Sequence, residues 1–560
     1  MEISGKQLSP ELIDALLGAP VYGEADIIAK YPARALPVDA MVTRVGPSPT
    51  GFMHIGGLYA ALISERFAHQ SGGVFILRIE DTDKAREVEG ALETIIKSLN
   101  EYGIEYDEGP TLNENEKGSY GPYRQSERTD IYKPFIRRLL ETGQAYPCFC
   151  TSEELEAARA EQEANKIKPG YYGQWAVWRD APLEKINEAI TAGKKAVIRL
   201  RSAGNPEATV LINDVLKGDK EISANDQDIV LLKSDGTPTY HFAHVIDDHF
   251  MGTTHVLRGD EWFISTPMHL EIFAALGWTA PIYGHLAPIM KLDGSSRRKL
   301  SKRKDPEANI EFYGSAGYPK EAVIEYLLNL ADSSFEAWRD ENSDKDYRDF
   351  NISFERLAGG GGALIDLQKL NDISKNVIAR FNPEETWNRI VAWASVHSPA
   401  FAVELASQKE YSMTFLSIEK DNEKRRKDIA VWAEVETKFG FFFDSFDEKP
   451  LDMTLLEGLD KADVVRAANL FIERYDTADD REAWFDKLKT IALELGYAET
   501  MKELKNDTDK KFKGYVGDIA KIFRVFLTGS TNSPDLHEVM FIMGSERALG
   551  RIERGTKLFA

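Results

Sequence analysis

The sequence predicts an α/β protein built on a parallel sheet, carrying an α+β insertion and ending in an all-α final third. Three observations lead there. Residues 41–45 have strand character, the string Gly46-Pro47-Ser48-Pro49-Thr50-Gly51 follows as a loop, a helical stretch runs from about His54 to His69, and residues 74–79 form a second strand. Strand, glycine-rich loop, helix and strand within ~40 residues make a βαβ unit, which implies parallel strands and a right-handed crossover. Later strand pieces at 229–232 and 255–258 are expected to extend that sheet, while residues 141–224 carry a strand of their own at 196–200 and read as an insertion. From about residue 380 strand signals nearly vanish. Trp387, Ile390, Val391 and Ala394 follow helical spacing there, as do Ile519, Ile522, Phe523 and Phe526, and stripes of this kind form helical cores.

In chain order, residues 1–39 read as a packing arm without chemistry. Ser9 caps a short helix with Pro10 at its first position, Gly18 ends it, and a linker runs from Tyr31-Pro32 to Leu36-Pro37. Residues 40–140 and 225–285 are expected to be the two halves of the parallel-sheet domain, 141–224 its insertion, 286–379 a region with a basic loop, and 380–560 the helical domain. The run Gly359-Gly360-Gly361-Gly362 reads as a flexible joint before the last of these.

Composition excludes several classes. The 560 residues carry 69 Lys plus Arg against 91 Asp plus Glu, a formal net charge of −22, so coating a membrane or a nucleic acid through bulk charge is excluded and any nucleic-acid partner must meet a local basic surface. Two cysteines, Cys148 and Cys150, rule out a disulfide framework. No stretch approaches ~18 consecutive apolar residues, and no basic segment leads into an apolar run at the start. A soluble, cytoplasmic protein is expected.

Two strings carry chemistry. His54-Ile55-Gly56-Gly57 ends the loop after the first strand and opens a helix. Ligands of parallel sheets sit at the carboxyl ends of strands, and a helix N-terminus offers unpaired N–H groups to phosphates. Glycines there let a nucleotide approach the backbone, and an imidazole donates to phosphate oxygens. Arg297-Arg298-Lys299-Leu300-Ser301-Lys302-Arg303-Lys304 is a dense basic run in an acidic chain, with Asp293-Gly294 marking a turn just before it. Such a loop is suited to close over a triphosphate and neutralise a departing pyrophosphate.

Together the two strings resemble the paired signatures of class I aminoacyl-tRNA synthetases. The first is a His-Ile-Gly-His signature with Gly57 in place of the last His; the second is a Lys-Met-Ser-Lys-Ser signature with Leu300 and Arg303 substituted. Both substitutions look like the bacterial glutamyl-tRNA synthetases. Longer strings agree: Arg78-Ile79-Glu80-Asp81-Thr82-Asp83, Gly121-Pro122-Tyr123-Arg124-Gln125-Ser126-Glu127-Arg128, Ser234-Asp235-Gly236-Thr237-Pro238-Thr239-Tyr240-His241 and Asp247-Asp248-His249-Phe250-Met251-Gly252. The resemblance runs from about Met41 to the end. It implies a Rossmann-type catalytic domain, an acceptor-end domain at 141–224, a stem-contact region at 286–379 and a helical anticodon-binding domain at 380–560. It also implies ATP-dependent activation of L-glutamate and its transfer to the terminal adenosine of tRNA(Glu), with tRNA(Gln) left open as a second acceptor.

That chemistry brings two anions together, so it needs cations and positioned donors rather than a side-chain nucleophile. By the resemblance, Arg44 with Tyr240 meets the side-chain carboxylate of glutamate, Arg258 the α-carboxylate and Glu80 the α-ammonium, while Ser48 lines the pocket and Trp262 walls it. His244 stands where several relatives carry Asn, and its titration would make glutamate binding depend on pH. His54, Gly56 and Gly57 are expected to cradle the phosphates of ATP, with Lys299, Ser301 and Lys302 clamping the leaving group; His54, Lys299 and Lys302 are the expected catalytic set. Mg²⁺ is expected to arrive with ATP.

Zinc is not expected. Cys148-Phe149-Cys150 matches half of the Cys-x-Cys site of some relatives, but no Cys follows and no His appears until His241, leaving a tetrahedral site two ligands short. The two cysteines read instead as small buried residues. A monomer with no membrane partner is expected. Among the alternatives, a glutaminyl-tRNA synthetase shows a Phe-Asp-Asp-Thr-Asn type string where this chain has Ile79-Glu80-Asp81-Thr82-Asp83. A small-molecule nucleotidyltransferase would not need the helical tail, and a tRNA-binding module would not need His54, Lys299 and Lys302 together.

Overall fold

The computed structural model describes residues 7–113, 115–205, 207–357, 363–420 and 425–559. It divides into two compact units, Met1–Phe312 with Ile324–Asp366, and Tyr313–Val323 with Leu367–Ala560. The joint read at Gly359 to Gly362 lies outside the described residues.

The first unit opens with α1 (Pro10–Leu17) and α2 (Glu24–Lys30), followed by β1 (Val42–Val45), α3 (Ile55–Gln70) and β2 (Val74–Leu77). β1 and β2 pair in parallel, Val42 opposite Val74 through Val45 opposite Leu77, so the βαβ reading holds. The capping read for the first helix holds as well: Ser9 accepts from the Leu12 amide, and Gly18 ends α1 at φ 73°. α2 was not foreseen. Next come α4 (Ala91–Glu101), the short pair β3 (Gly109–Pro110) and β4 (Glu116–Lys117), and α5 (Thr129–Glu141). Ile13 of α1 and Ile27 of α2 are fully buried in one core with Tyr132, Phe135 and Ile136 of α5, each contributing about 1.5–3 kcal/mol. Arg34, beyond α2, holds Glu108 through both guanidinium nitrogens at 2.8 Å and the Met251 carbonyl at 2.7 Å.

The unit continues with β5 (Ala145–Cys148), α6 (Ser152–Ala164), α7 (Leu183–Thr191), β6 (Val197–Leu200), β7 (Thr209–Asp214), β8 (Gly218–Ser223), β9 (Val230–Leu232), α8 (Tyr240–Phe250), β10 (His255–Gly259), α9 (Thr266–Ala275), β11 (Ile282–Leu286), β12 (Met290–Asp293) and β13 (Ser296–Lys299), and takes in the helix Lys320–Ala331 from Ile324 onward and the helix Ser334–Glu341. β10 and β11 are parallel neighbours. Thr254, just ahead of β10, donates its amide to the Val42 carbonyl and accepts the Val42 amide on Oγ1, which sets β10 beside β1.

One strand takes other partners than the sequence reading gave it, and a hairpin that reading did not contain joins the sheet. The piece at 229–232 does not extend the parallel sheet: β9 pairs antiparallel with β6, which pairs antiparallel with β5. Conversely, β7 and β8 form a hairpin whose last β7 residue, Asp214, pairs in parallel with Tyr283, giving a sheet ordered β10-β11-β7-β8. A short apolar run states that it is a buried strand but not which neighbour buries it.

The second unit is helical. Ile390 and Ala394, on the helix Pro383–His397, and Ile519, Ile522, Phe523 and Phe526, on Val516–Thr528, are buried in one core that also takes in Phe471, Trp484 and Ile552, while Trp387 and Val391 pack against it part-buried. Among its described residues the β structure is the single bridge between Ala498 and Tyr515. No helix among the described residues is long and apolar enough to cross a membrane.

Candidate active site

A cavity of about 660 Å³ opens where β1 and β10 end, the carboxyl edge at which parallel sheets bind ligands. Arg44, Ser48, Glu80, Tyr240, Arg258 and Trp262 line it together with His54, Gly56, Gly57, Lys299 and Lys302. Two expected residues, His244 and Ser301, are not on its wall.

The deep part is made of buried charge. Tyr240, His244 and Asp248 are spaced four apart on α8 and so share one helix face. Asp248 reaches Arg78 Nη1 at 2.5 Å and Arg44 Nε at 3.4 Å, and Arg78 Nη2 donates to Glu80 Oε1 at 3.1 Å. Burial pulls the Arg44 and Arg78 guanidiniums toward losing their protons; Asp248 and Glu80, joined at Arg78 by Asp247, together outweigh it and hold both protonated. The Asp248 carboxyl, pushed up by its own burial, is drawn well below the usual carboxylate range by Arg78, His244 and Arg44. Burial raises Glu80 against the pull of Arg78 and Arg44, so an ammonium group brought to it would meet a carboxylate in want of a counter-charge. Gly46 makes room for that carboxylate: a Cβ at this position would stand 2.2 Å from Glu80 Oε1.

His244 sits behind Arg44. Its Nδ1 is 3.1 Å from Arg44 Nη2 and 2.9 Å from Asp248 Oδ2, with no exposed surface. Burial drops its pKa to about 3, so the expected pH switch is corrected: this imidazole stays neutral throughout the physiological range. The Tyr240 ring lies 4.5 Å from that of Trp262, roofing the arginines. Arg258 finds His285, His269 and Thr266 rather than a carboxylate.

The outer part is exposed and cationic. His54 is the N-cap of α3, its Nδ1 accepting the Gly56 amide at 2.9 Å. Burial and the nearby Lys302 and Lys299 lower its pKa to about 4. His54 is therefore neutral, its Nδ1 is taken, and its proton sits on Nε2, free to donate. β12 and β13 form a hairpin that delivers the basic loop. Arg298 grips Asp305 at 2.6 and 2.7 Å, and Asp305 also accepts the Ser301 amide at 2.9 Å. Ser301 thus shapes the loop from outside the cavity. Lys299 pairs with Glu261 at 3.1 Å, and Lys302 donates to the Phe52 carbonyl at 3.1 Å.

Sequence reading missed Glu261 and Phe52 on the wall, and the part played by Asp248 behind it. Asp248 stood inside a quoted string, but nothing in a string shows which of two adjacent aspartates reaches Arg44. The cysteines lie elsewhere: Cys148 is buried, Cys150 only partly so, and both sulfurs meet the Tyr171 hydroxyl, at 3.3 and 3.5 Å. Among the described residues no group of three or more His, Cys, Asp or Glu is arranged to hold a metal ion.

A family model described as the catalytic domain of class I tRNA synthetases (E and Q) matches residues 40–340, and one described as an anticodon binding domain matches residues 422–556. The glutamate–tRNA ligase of Clostridium perfringens (strain 13 / Type A) is 48% identical over 525 residues, 93% of this chain and 96% of that protein. That of Acetivibrio thermocellus is 45% identical over 553 residues, 98% of this chain and 99% of that protein. A crystal structure of a glutamate tRNA ligase from Elizabethkingia meningosepticum, in complex with its amino acid, aligns with a TM-score of 0.73 at 28% identity, over 93% of this chain and 100% of that one. The chain belongs to the class I tRNA synthetases, in the family of the glutamate–tRNA ligases.

Proposed function

We propose that this chain activates L-glutamate with ATP to glutamyl-adenylate and transfers the glutamyl group to the terminal adenosine of tRNA(Glu). One observation carries the reading: two guanidiniums from different strands, Arg44 and Arg258, share a cavity with the carboxylate of Glu80. That pattern of two positive groups and one negative is the complement of glutamate, with its two carboxylates and one ammonium. Arg44 with Tyr240 takes the side-chain carboxylate, Arg258 the α-carboxylate and Glu80 the ammonium, with Ser48 and Trp262 closing the pocket.

The chemistry follows from the outer part. ATP phosphates lie against the N-terminus of α3, where Gly56 and Gly57 present no side chain and His54 donates from Nε2. An α-carboxylate oxygen attacks the α-phosphorus, the bond to the bridging oxygen of pyrophosphate breaks, and Lys299 and Lys302 neutralise the departing charge. No general base is needed, because the nucleophile is already an anion. In the second half a ribose hydroxyl of the tRNA attacks the carbonyl carbon, the bond from that carbon to the phosphate oxygen breaks, and AMP leaves with its phosphate taking up the hydroxyl proton. Mg²⁺ comes as part of the ATP substrate, bound through its phosphates. We assign residues 141–224 to the acceptor end, 286–379 to the stem and 380–560 to the anticodon, the last supported by the match at 422–556. We take the enzyme to be a cytoplasmic monomer.

ATP–pyrophosphate exchange tests the reading, with glutamate or glutamine and with or without tRNA. Exchange supported by glutamate in the presence of tRNA is expected. Exchange supported by glutamine would move the chain to the sister specificity, and none under any condition would overturn the proposal. Charging of purified tRNA(Glu) and tRNA(Gln) then settles which acceptors are used.

A further inference from the structure

Arg258 differs from the other arginines of the site in how it is held. Its Nε donates to His285 Nε2 at 3.0 Å, Nη1 to His269 Nδ1 at 3.3 Å, and Nη2 to Thr266 Oγ1 at 2.9 Å and the Trp262 carbonyl at 3.2 Å. A guanidinium only donates, so both imidazole nitrogens facing it must be bare acceptors. For His285 this places the ring proton on Nδ1, which points at Asp214 Oδ2, 2.5 Å away. Asp214 is fixed in turn by backbone: its Oδ1 accepts the amides of Leu216 and Lys217, each at 2.9 Å, and its Oδ2 the His285 amide at 3.2 Å. Asp214, His285, His269 and Thr266 are all buried. The contact exists because the end of β7 is pressed onto β11. Asp214 pairs with Tyr283, the Val215 amide donates to the Tyr283 carbonyl at 3.0 Å, and a Cβ on Gly284 would stand 2.9 Å from Val215 Cγ2.

We propose that Asp214 and His285 are positioning residues for Arg258, and that the β7–β8 hairpin is thereby a working part of the amino-acid pocket. The proposal deepens the ligase reading above and rests on it for the identity of the carboxylate that Arg258 meets. Where Asp248 binds Arg44 and Arg78 directly, Asp214 stands one imidazole away from Arg258. His285 passes on orientation without contact neutralisation, so Arg258 points into the cavity with its charge uncompensated at its nitrogens. A substrate carboxylate is then its first direct anion, met through the one Nη1 hydrogen that these contacts leave.

Asp214→Asn, His285→Phe and His285→Gln test this in the full-length enzyme by glutamate-dependent pyrophosphate exchange with tRNA present. Asn offers an N–H that favours the other imidazole tautomer and turns a proton toward Arg258; Phe removes the acceptor; Gln restores one. D214N and H285F are expected to raise the KM for glutamate about 10- to 100-fold, the size of one hydrogen bond to a charged group. The KM for ATP and the melting temperature should hold, and H285Q should recover most of the loss. Nitrogen-15 spectra of histidine-labelled protein should show an Nδ1-protonated ring whose signals H285Q removes and D214N shifts. An unchanged glutamate KM in D214N and H285F, an equal rise in both KM values, or Gln behaving as Phe does would overturn the proposal, as would an Nε2-protonated His285. Failure of the unsubstituted enzyme to exchange with glutamate would instead count against the ligase reading, and the nitrogen spectrum would still decide the tautomer.

Discussion

The two parts of the cavity are built by opposite rules. Its deep part sets Arg44, Arg78, Glu80 and Asp248 almost wholly out of water, each locked by another. Its outer part sets Lys299 and Lys302 on a hairpin loop, with the side chain of Lys299 55% exposed and resting on an equally exposed Glu261. Buried charges cost several kcal/mol each to desolvate and cannot be rearranged cheaply, which suits a pocket that must hold one small zwitterion in one pose. Exposed lysines keep their mobility, which suits a loop that must follow charge as it moves from ATP to pyrophosphate. On the proposed assignment, specificity lies with buried, mutually locked charges and charge neutralisation with exposed ones.

Asp248 is the sharpest place to break that contrast. Replacing it with Ala strips the buried Arg44 of its carboxylate partner and leaves Arg78 to Glu80, and loss of one partner from a buried pair costs about 3–5 kcal/mol. Denaturant unfolding of the first unit should show a loss of that size together with a large rise in the KM for glutamate. A loss below ~1 kcal/mol, as for an exposed pair, would mean that the deep part is no more rigid than the outer one.

Lys302→Ala should behave in the opposite way. Lys302 is exposed and its partner is the Phe52 carbonyl, so stability should hold, while the rate of pyrophosphate exchange falls about 10²–10³-fold, as for loss of one transition-state donor. An unchanged exchange rate would remove it from the reaction.

The sequence made the outer part legible and the deep part only half so. His54, Gly56, Gly57, Lys299 and Lys302 are consecutive or nearly consecutive, and one loop folds each set, so a short string carries them. Arg44, Glu80, Tyr240 and Arg258 are far apart in the chain, and only the family resemblance gathered them; spacing along the chain says nothing about which strands become neighbours. Helical periodicity read the second unit well because each stripe answers to its own helix. Partner choice failed at 229–232 and the β7–β8 hairpin went unread, since both are settled by what lies across the sheet. His244 was read as a titrating group because its burial, and with it the pKa of about 3, belongs to the packing and not to the string.

Protonation sharpens the same contrast through pH. Burial lowers His244 to about 3 and His241, His249 and His54 to about 4, against ~6.5 in the unfolded chain. Between pH 6.5 and 4 the unfolded state therefore binds protons that the folded state refuses, and stability falls as pH falls through that window. His69 acts in reverse. Asp107 and Glu65 raise it to about 9, so its contribution is fully present below pH 6.5 and is lost as pH climbs to 9. The melting temperature should decline on the acid side from pH 6.5 downward and more gently toward pH 9, with His244→Asn flattening the acid limb. Because His244 is neutral already, the KM for glutamate should stay level between pH 6.5 and 8. A step there would mean that His244 titrates in the open pocket after all.

The smallest effect is expected at Glu261. Its pair with Lys299 is half exposed on both sides, at 3.1 Å, and such pairs contribute about 0–1 kcal/mol. Yet Glu261 is also a negative charge on the wall of the cavity, and on the proposed placement of ATP its contact with Lys299 has to be given up for a phosphate. Glu261→Gln should therefore leave stability and the KM for glutamate where they are and lower the KM for ATP by at most about fivefold, the same ~1 kcal/mol read as affinity. Raising the salt from 0.1 M toward 1 M shortens the screening length from ~10 to ~3 Å, so the advantage of the variant should shrink with it. If the KM for ATP rises instead, Glu261 is not a resting place for Lys299 but a fixed part of the phosphate site, and the outer part would then be as preorganised as the deep one.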